Sequence, residues 1–466
     1  MKSWLLPPAI VAEVTCSCLA AGLEVTLEKI TEFASPATPG DPVVVGGTTF
    51  YYGVSGSAAN GLYRNGSLVV GPGGSISDSE VGSAGVSGGD GSSVLVGATS
   101  NYAAPTPNNF FNTFNVITGG GSPVRILSRN TTFPGYPAPP HPGNPIGPGT
   151  IHAGQVAFLI REYSTAPRLP SAVAVTSSGG GTVTVIAKEG DPVPNGGGTF
   201  SVFDGATYPY GHNGSVIFTG RSLSRKGIYE WTGGSLSVVV DQTMAKPEGG
   251  TFTGATFGFE PVKSGLDYAF IASSALYRKR DGQITLVANS STPVPGGTGN
   301  LTTYTAPSFS NGRLVFLGSR GTAEYGIYLD LDGTITPIVD KRTDFGVPGK
   351  TPVAYGLARS GAWAGDNAIG FRVAFSDNST AIYKATFQPT GGKLDAQVAF
   401  TGPRTGTITV TSRNGYTYKL LRTLTLAGDD EELISNAGIG GSLVFPFDDS
   451  TYTGGKAFFR VRETKD

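Results

Sequence analysis

The sequence predicts an all-β protein: a seven-bladed β-propeller of four-stranded antiparallel blades, followed by a small C-terminal β-sandwich-like module. Three observations predict it. The composition is rich in glycine and proline and poor in charge; a unit of four short apolar stretches recurs at roughly 50-residue intervals; and two-residue turn signals stand at matching places in successive units.

The chain has 466 residues, with 70 glycines, 32 prolines and only 14% charged residues. Glycine inside a helix costs about 1 kcal/mol relative to alanine, so this composition argues against helices. The glycines follow no collagen period, and aromatic residues reach 10%, more than a disordered chain carries. Many short strands joined by tight turns use such residues well. The formal net charge of -1 supplies no field toward nucleic acid or an anionic membrane. Past the N-terminus no apolar run reaches the roughly 18 residues that a membrane-spanning helix needs. The acidic runs Asp429-Asp430-Glu431-Glu432 and Asp448-Asp449 read as solvated loops.

The first twenty-one residues stand apart. Lys2 precedes a mostly apolar run from Trp4 to Ala12, and Cys18-Leu19-Ala20-Ala21 closes the segment before Gly22. A charged start, an apolar middle and small residues at the end predict a signal peptide over residues 1–21, cleaved near Ala21, and a secreted or cell-surface protein. Glu13 and Pro7-Pro8 depart from that pattern, and a ragged N-terminal strand is the competing reading. Cys16 and Cys18 are the only cysteines, so cleavage leaves a mature chain without any.

The clearest repeat unit runs from Phe200 to Asp241. Tyr208-Pro209-Tyr210 leads to Asn213-Gly214 and then to Ser215-Val216-Ile217-Phe218. Lys226-Gly227-Ile228-Tyr229-Glu230-Trp231 leads to Gly233-Gly234 and then to Ser235 through Asp241. Asn-Gly and Gly-Gly are strong hairpin signals. The order returns with Ala275-Leu276-Tyr277 and Asp281-Gly282, with Asn311-Gly312, Gly326-Ile327-Tyr328 and Asp332-Gly333, and with Ala381-Ile382-Tyr383. Upstream, Gly61-Leu62-Tyr63 with Asn65-Gly66, then Phe114 and Val173, mark three looser units. Counting the tyrosine-type strand at 62, 114, 173, 228, 276, 327 and 382 gives seven units. A sheet apolar on both faces must stack on neighbours, and a ring buries every sheet between two others.

Closure is predicted from a likeness between two segments. Leu23 to Ile30, ahead of Asp41-Pro42-Val43, parallels Val183 to Lys188, ahead of Asp191-Pro192-Val193. The N-terminal strand is therefore expected to supply the outer strand of the last blade. The segment from Phe50 to Gly61 is too short for two strands, so the first blade should be irregular. The repeat fades after Gly391, and residues 405–462 read as a separate β module. The expected organisation is a signal peptide over 1–21, the propeller over 22–397 and the module over 398–466.

These repeats resemble an uncharacterised secreted bacterial β-propeller repeat family that shares a Gly-Ile-Tyr strand and a Pro-Gly-Gly link, here Gly227-Ile228-Tyr229, Gly326-Ile327-Tyr328 and Pro295-Gly296-Gly297. Lys456 to Val461 resembles the closing strand of C-terminal β modules in exported planctomycete and verrucomicrobial proteins. The resemblance implies a fold and carries no activity, cofactor or ligand with it.

Catalytic chemistry is hard to assemble. The three histidines, His141, His152 and His212, have no His-x-x-His or Glu-x-x-His spacing, so no metal site, cofactor or catalytic residue is assigned. Asp330-x-Asp332-Gly333 opens like a calcium loop, but Pro337 and Ile338 follow where acidic ligands belong, and a hairpin turn accounts for it. Arg161, Arg221 and, one residue shifted, Arg320 recur just past the second strand, and Asp241 and Asp340 recur at the end of the fourth. They read either as structural pairs between blades or as a charged ring binding an anionic or sugar ligand. Tyr208, Tyr210, Trp231 and Trp363 are candidates for a carbohydrate surface, against a competing reading as core.

The composite expectation is an exported, non-enzymatic binding or scaffold protein with a glycan or protein ligand and no nucleic-acid partner. A propeller carbohydrate-active enzyme using Glu162, Asp204, Glu230 or Asp267 is one alternative, for which paired carboxylates about 5 to 10 Å apart would be the sign. A self-associating surface-layer or appendage subunit is the other.

Overall fold

The computed structural model describes residues 22–46, 49–55, 61–71, 74–76, 79–101, 110–128, 130–136, 146–161, 171–201, 203, 209–258, 261–310, 312–331, 333–358, 367–390, 396–402, 405–412, 416–423, 431–439, 441–448 and 458–465. The expectations for residues 1–21, Tyr208, Trp363, His141, Glu162 and Asp204 fall outside them. Among the described residues the regular structure is strand, apart from one 3-10 turn at Pro194–Gly196. The chain divides into two compact units, one spanning Val25–Gln388 and the other taking in Pro389–Asp466.

The first unit is a seven-bladed β-propeller. Blades 3 to 6 are regular four-stranded sheets whose spatial order follows the sequence. Blade 3 comprises Ile146–His152, Gln155–Ile160, Ala172–Ser177 and Thr184–Lys188. Blade 4 comprises Tyr210–His212, Ser215–Arg221, Lys226–Thr232 and Ser235–Asp241. Blade 5 has Val262–Ser264, Asp267–Ala272, Ala275–Arg280 and Gln283–Ala288, and blade 6 has Thr303–Ser310, Arg313–Arg320, Glu324–Leu331 and Thr334–Asp340. Blade 1 (Thr38 to Val70) and blade 2 (Ser75 to Leu127) each hold five strands. As expected, blade 1 is irregular: its inner part is broken into the short pieces Thr38–Pro39 and Val43–Val45.

Blade 7 closes the ring. Pro352–Gly356, Ala368–Phe375 and Thr380–Thr390 come from one end of the unit, and the outer strand is Gly22–Phe33 from the other. Ile30 and Phe33 pack against a core of Tyr52, Val54, Ala368 and Ile382, which belongs to blades 1 and 7 together. Lys350 fastens the joint from outside. Its ammonium meets Glu32 Oε1 at 2.5 Å and Asp377 Oδ2 at 2.9 Å.

The seven marker residues at 62, 114, 173, 228, 276, 327 and 382 all lie on the strand next to the outermost one of their blade. Side chains alternate between faces along a strand, so adjacent residues serve different neighbours. Tyr229 belongs to the core with Leu159 and Val173 of blade 3, whereas Ile228 belongs to the core with Phe270 and Tyr277 of blade 5. Leu276 and Tyr277 divide in the same way.

The link phenylalanine completes this packing. The ring of Phe200 stands edge-on to Tyr229 at 5.0 Å, Phe252 to Tyr277 at 5.1 Å and Phe345 to Tyr383 at 4.8 Å. Each such pair is worth about 0.5–1.5 kcal/mol beyond area burial. Blade 6 places the buried Leu301 in the corresponding core.

The glycine of Gly-Ile-Tyr has its own cause. The fourth strand carries a bulge opposite Ile228/Tyr229 and continues to Asp241, which pairs with Gly227. A Cβ on Gly227 would lie 2.7 Å from the Val240 carbonyl oxygen and 2.9 Å from Asp241 Cβ. Gly326 is hemmed in alike by Val339 and Asp340. In blade 5 the fourth strand ends at Ala288 opposite Leu276, and alanine occupies the corresponding place as Ala275. The turns follow the sequence too. Asn213 and Gly214 have φ of 47° and 76°, the pair of positive values that a type I′ hairpin requires.

The second unit holds two three-stranded sheets. One orders Ala396–Gly402, Thr405–Thr411 and Ser442–Asp448; the other orders Glu431–Ala437, Tyr416–Thr423 and Phe458–Lys465. Ile408, Val410, Phe445 and Phe447 of the first share a core with Tyr418 and Leu420 of the second, which makes the unit sandwich-like.

Candidate functional site

In blades 4 and 5 the hairpins after the first and third strands lie at one end, and the connection after the second strand lies at the other with the inter-blade links. Blades 6 and 7 leave a cleft of about 290 Å³ between them at the link end. Its walls come from the inner strands of blade 6 and from Pro352–Gly356, the innermost strand of blade 7. Thr303 and Thr305 are exposed, and Tyr304 between them is buried on the opposite face. The strand bulges just after Thr305, where Ala306 takes a φ of 48° ahead of Pro307. Left-handed backbone at a residue with a Cβ costs about 1–2 kcal/mol. Bulges of this kind re-aim side chains beside binding sites.

Two tyrosines form the aromatic part of the lining. The Tyr325 and Tyr355 rings are 6.0 Å apart and inclined at 49°. Tyr325 Oη donates to the Pro352 carbonyl at 2.6 Å, and Tyr355 Oη donates to the Asp340 carbonyl at 2.7 Å. Burial, reinforced by the Asp340 charge, pushes both phenols above their ordinary value, so both stay protonated. With their protons committed to backbone, they offer a ligand ring surface and oxygen lone pairs. Ser319 and Thr322 add hydroxyls, and Val353, 48% exposed, adds an apolar floor. None of the described residues lining the cleft carries a carboxylate, imidazole, amine or guanidinium.

The residues expected from sequence lie elsewhere or beside it. Arg320 ends the second strand of blade 6 next to Ser319, but its guanidinium turns to the link and donates to the Thr298 carbonyl at 3.2 Å. Arg221 is half-buried at the matching place in blade 4, and Arg161 is exposed just past the second strand of blade 3. All three therefore sit at or just past the end of the second strand of their blades. The arginines that meet the recurring aspartates are different ones. Arg225 reaches Asp241 at 3.4 Å, and Arg342 pairs with Asp340. Asp241 and Asp340 also cap the turns that follow them, accepting the Thr243 and Arg342 amides at 2.9 and 2.8 Å. Tyr210 packs against the cores that join blades 4 and 5 and blades 5 and 6, and Trp231 against the core between blades 3 and 4.

The described carboxylates of the enzyme reading are held in ion pairs. Glu230 meets Lys263 and accepts the Tyr268 hydroxyl at 2.7 Å. Burial works to raise the Glu230 carboxyl, but hydrogen bonds from Lys263, Tyr268 and Ser215 carry it below its usual value. Asp267 is bound by Arg278 and Arg280, each at 2.7 Å. Asp330 accepts the Gly333 amide at 3.0 Å and faces Arg278 at 3.5 Å, which makes it a turn cap tied to the preceding blade. No group of three or more metal-ligating side chains gathers among the described residues. No helix among them is long and apolar enough to cross a membrane.

Tyr325, Tyr355 and Thr303 carried no motif in the sequence. One signal was available: the position before Gly-Ile-Tyr is lysine in blade 4 (Lys226) and serine in the parallel unit of blade 5 (Ser274), but tyrosine in blade 6.

Fold and cleft together define a propeller with an inter-blade recess lined by rings and hydroxyls. Residues 89–273 match the model of a family of unknown function, DUF7453. No curated protein is significantly similar to the chain. Among solved structures, a chain of a Saccharomyces cerevisiae assembly of Dbp5 with Nup159 and Gle1 is similar at 9% identity and a TM-score of 0.34, over 81% of this chain and 98% of that one. The six-bladed β-propeller lectin of Aleuria aurantia, described with a fucose recognition mode, is similar at 13% identity and a TM-score of 0.32, over 68% of this chain and all of the lectin. A family 117 glycoside hydrolase of Zobellia galactanivorans is similar at 10% identity and a TM-score of 0.26, over 78% and 90% of the two chains. Likenesses this low carry nothing about activity.

Proposed function

We propose that this is an exported, non-enzymatic binding protein of the cell surface or extracellular space, and that it holds a neutral saccharide in the cleft between blades 6 and 7. The lining of the cleft carries the reading. Tyr325 and Tyr355 offer ring faces to the apolar side of a sugar, and Thr303, Thr305, Ser319 and Thr322 offer hydroxyls to its polar edge. No charged side chain among the described residues there would select an ionic ligand or supply a general acid and base. The volume, about 290 Å³, lies at the low end for ligand pockets and suits one sugar ring.

A glycan array probed with the mature chain tests this, followed by calorimetry on the best ligand. Tyr355→Ala and Tyr325→Ala should each weaken binding at least tenfold while keeping a cooperative thermal transition. Absence of any neutral glycan from the array hits, or undiminished binding by both variants, would overturn the assignment. Export rests separately on the order of residues from Lys2 to Ala21. N-terminal sequencing of natively produced protein should find a start near Gly22, and a retained Met1 would remove that part of the proposal.

A further inference from the structure

Two of the three histidines meet at a joint between blades. His152 ends the first strand of blade 3 and His212 ends the first strand of blade 4. Their ring centroids lie 4.5 Å apart with planes inclined at 41°. Each ring accepts a backbone amide from the hairpin of the next blade. Asn213 N–H donates to His152 Nδ1 at 3.0 Å, and Gly265 N–H donates to His212 Nε2 at 3.0 Å. One blade earlier a carboxylate does the same work, since Gly154 N–H donates to Asp90 Oδ2 at 3.3 Å. Blades 2 to 5 are thus chained by one repeated link, and in two of its three occurrences the acceptor is an imidazole. An imidazole nitrogen accepts only while unprotonated.

The surroundings oppose protonation. His212 Nδ1 is buried without a hydrogen-bond partner among the described residues. Lys263, from the first strand of blade 5, brings a positive charge that is held by Ser215 and Glu230 of blade 4. Burial pushes His212 down to about 4, with His152 and Lys263 adding to the effect and Glu230 opposing it. Burial also lowers His152, against the pull of Asp90.

We propose that the His152–His212 pair is an acid-sensitive joint: neutral imidazoles tie the inner ends of blades 3, 4 and 5 near neutral pH, and protonation frees the Asn213 and Gly265 amides and loosens the ring there. The direction follows from linkage. His212 takes up its proton near 6.5 in an opened joint and only near 4 in the closed one, and burial lowers His152 in the same direction. The joint's contribution is therefore complete above 6.5 and is lost as pH falls from 6.5 through about 4. At a pH of about 5.5 the opened form gains about tenfold over its share at neutrality.

Amide exchange on the full chain, corrected for intrinsic rates, reads this directly. Protection at Gly265, whose acceptor is His212, should fall about tenfold between pH values of about 7.5 and 5.5, and protection at Asn213, whose acceptor is His152, should fall with it, while the Gly333 amide, held by Asp330, keeps its protection. A paired variant, His152→Asn with His212→Gln, leaves a neutral acceptor near each nitrogen. Its thermal midpoint should change less over that interval than the wild type's. Equal wild-type protection of both amides at the two pH values would overturn the proposal, as would a variant that follows the wild-type pH dependence. Should the variant fail to fold, the wild-type exchange decides alone.

Discussion

The tyrosine next to the outer strand occupies equivalent places in blades 4, 5 and 6, as Tyr229, Tyr277 and Tyr328, and all three are buried. Their hydroxyls differ. Tyr277 Oη donates to Glu248 Oε1 at 2.6 Å, whereas the hydroxyls of Tyr229 and Tyr328 have no partner among the described residues. A buried hydroxyl without a partner carries a desolvation cost of about 1–3 kcal/mol. A hydrogen bond to a carboxylate contributes about 1.5–3 kcal/mol in general, and less here because Glu248 is exposed. Tyr229→Phe and Tyr328→Phe should therefore leave stability unchanged or raise it by up to about 1 kcal/mol, and Tyr277→Phe should lower it by about 1 kcal/mol. The ring contacts at 5.0 Å with Phe200 and 5.1 Å with Phe252 survive the change, so the three variants isolate the hydroxyl. Differential scanning calorimetry is the assay. In a unit this large, 1 kcal/mol moves the midpoint by about 1–2 °C, which side-by-side scans resolve. Losses at Tyr229 and Tyr328 equal to that at Tyr277 would refute the reasoning.

Gly227→Ala and Gly326→Ala should each cost about 2–3 kcal/mol, because the new methyl would sit 2.7 Å from the Val240 or Val339 carbonyl oxygen; chemical denaturation measures it. Lys350→Met should speed protease cleavage within residues 22–33, since it releases both Glu32 and Asp377. Hydrogen bonds with Lys350 and Ser379 hold the two carboxyls below their ordinary values, so the clasp is complete above the usual carboxylate range, weakens as pH falls into it and is lost only below it. Limited proteolysis across that range should show the wild type approaching the variant. Arg278→Met should lower stability by about 2–4 kcal/mol in thermal unfolding, because it strips a buried cation from Asp330 and leaves Asp267 with only the more exposed Arg280.

The blades were legible because their cause is local. A strand that needs apolar residues on both faces, a turn that needs two positive φ angles and a bulge that excludes a Cβ all leave marks within about ten residues of each other. Gly-Ile-Tyr carries the last of these and Asn213-Gly214 the second. Closure by Gly22–Phe33 was legible for the same reason, since that strand repeats the pattern of a fourth strand found elsewhere in the chain. The failures are also local in origin. Ser273 and Ser274 form the hairpin between the second and third strands of blade 5 with φ of 47° and 64°, values that a serine pair does not advertise. The added two-residue strand Ser75–Ile76 in blade 2 is shorter than any periodic signal. Asn311 and Asp332 lie outside the described residues, while their partners Gly312 and Gly333 do take positive φ.

The cleft was not legible, and the reason is distance. Thr303 and Tyr355 meet only because the strands of blades 6 and 7 are placed side by side by packing that runs through many other residues. Tryptophan is a stronger signal in the sequence than tyrosine, yet Trp231 packs against the core between blades 3 and 4. A repeat offers a better guide. Each unit states what its position needs for packing, so a residue that departs from the other units without entering a core needs another explanation. Tyr325 stands where blade 4 has Lys226 and blade 5 has Ser274, it lines the cleft, and its hydroxyl is spent on the first residue of the next blade's inner strand. Tyr328, three residues on, follows the repeat and is consumed by the core. The contrast between these two tyrosines on one strand separates what blade 6 owes to the ring from what the proposed site would use.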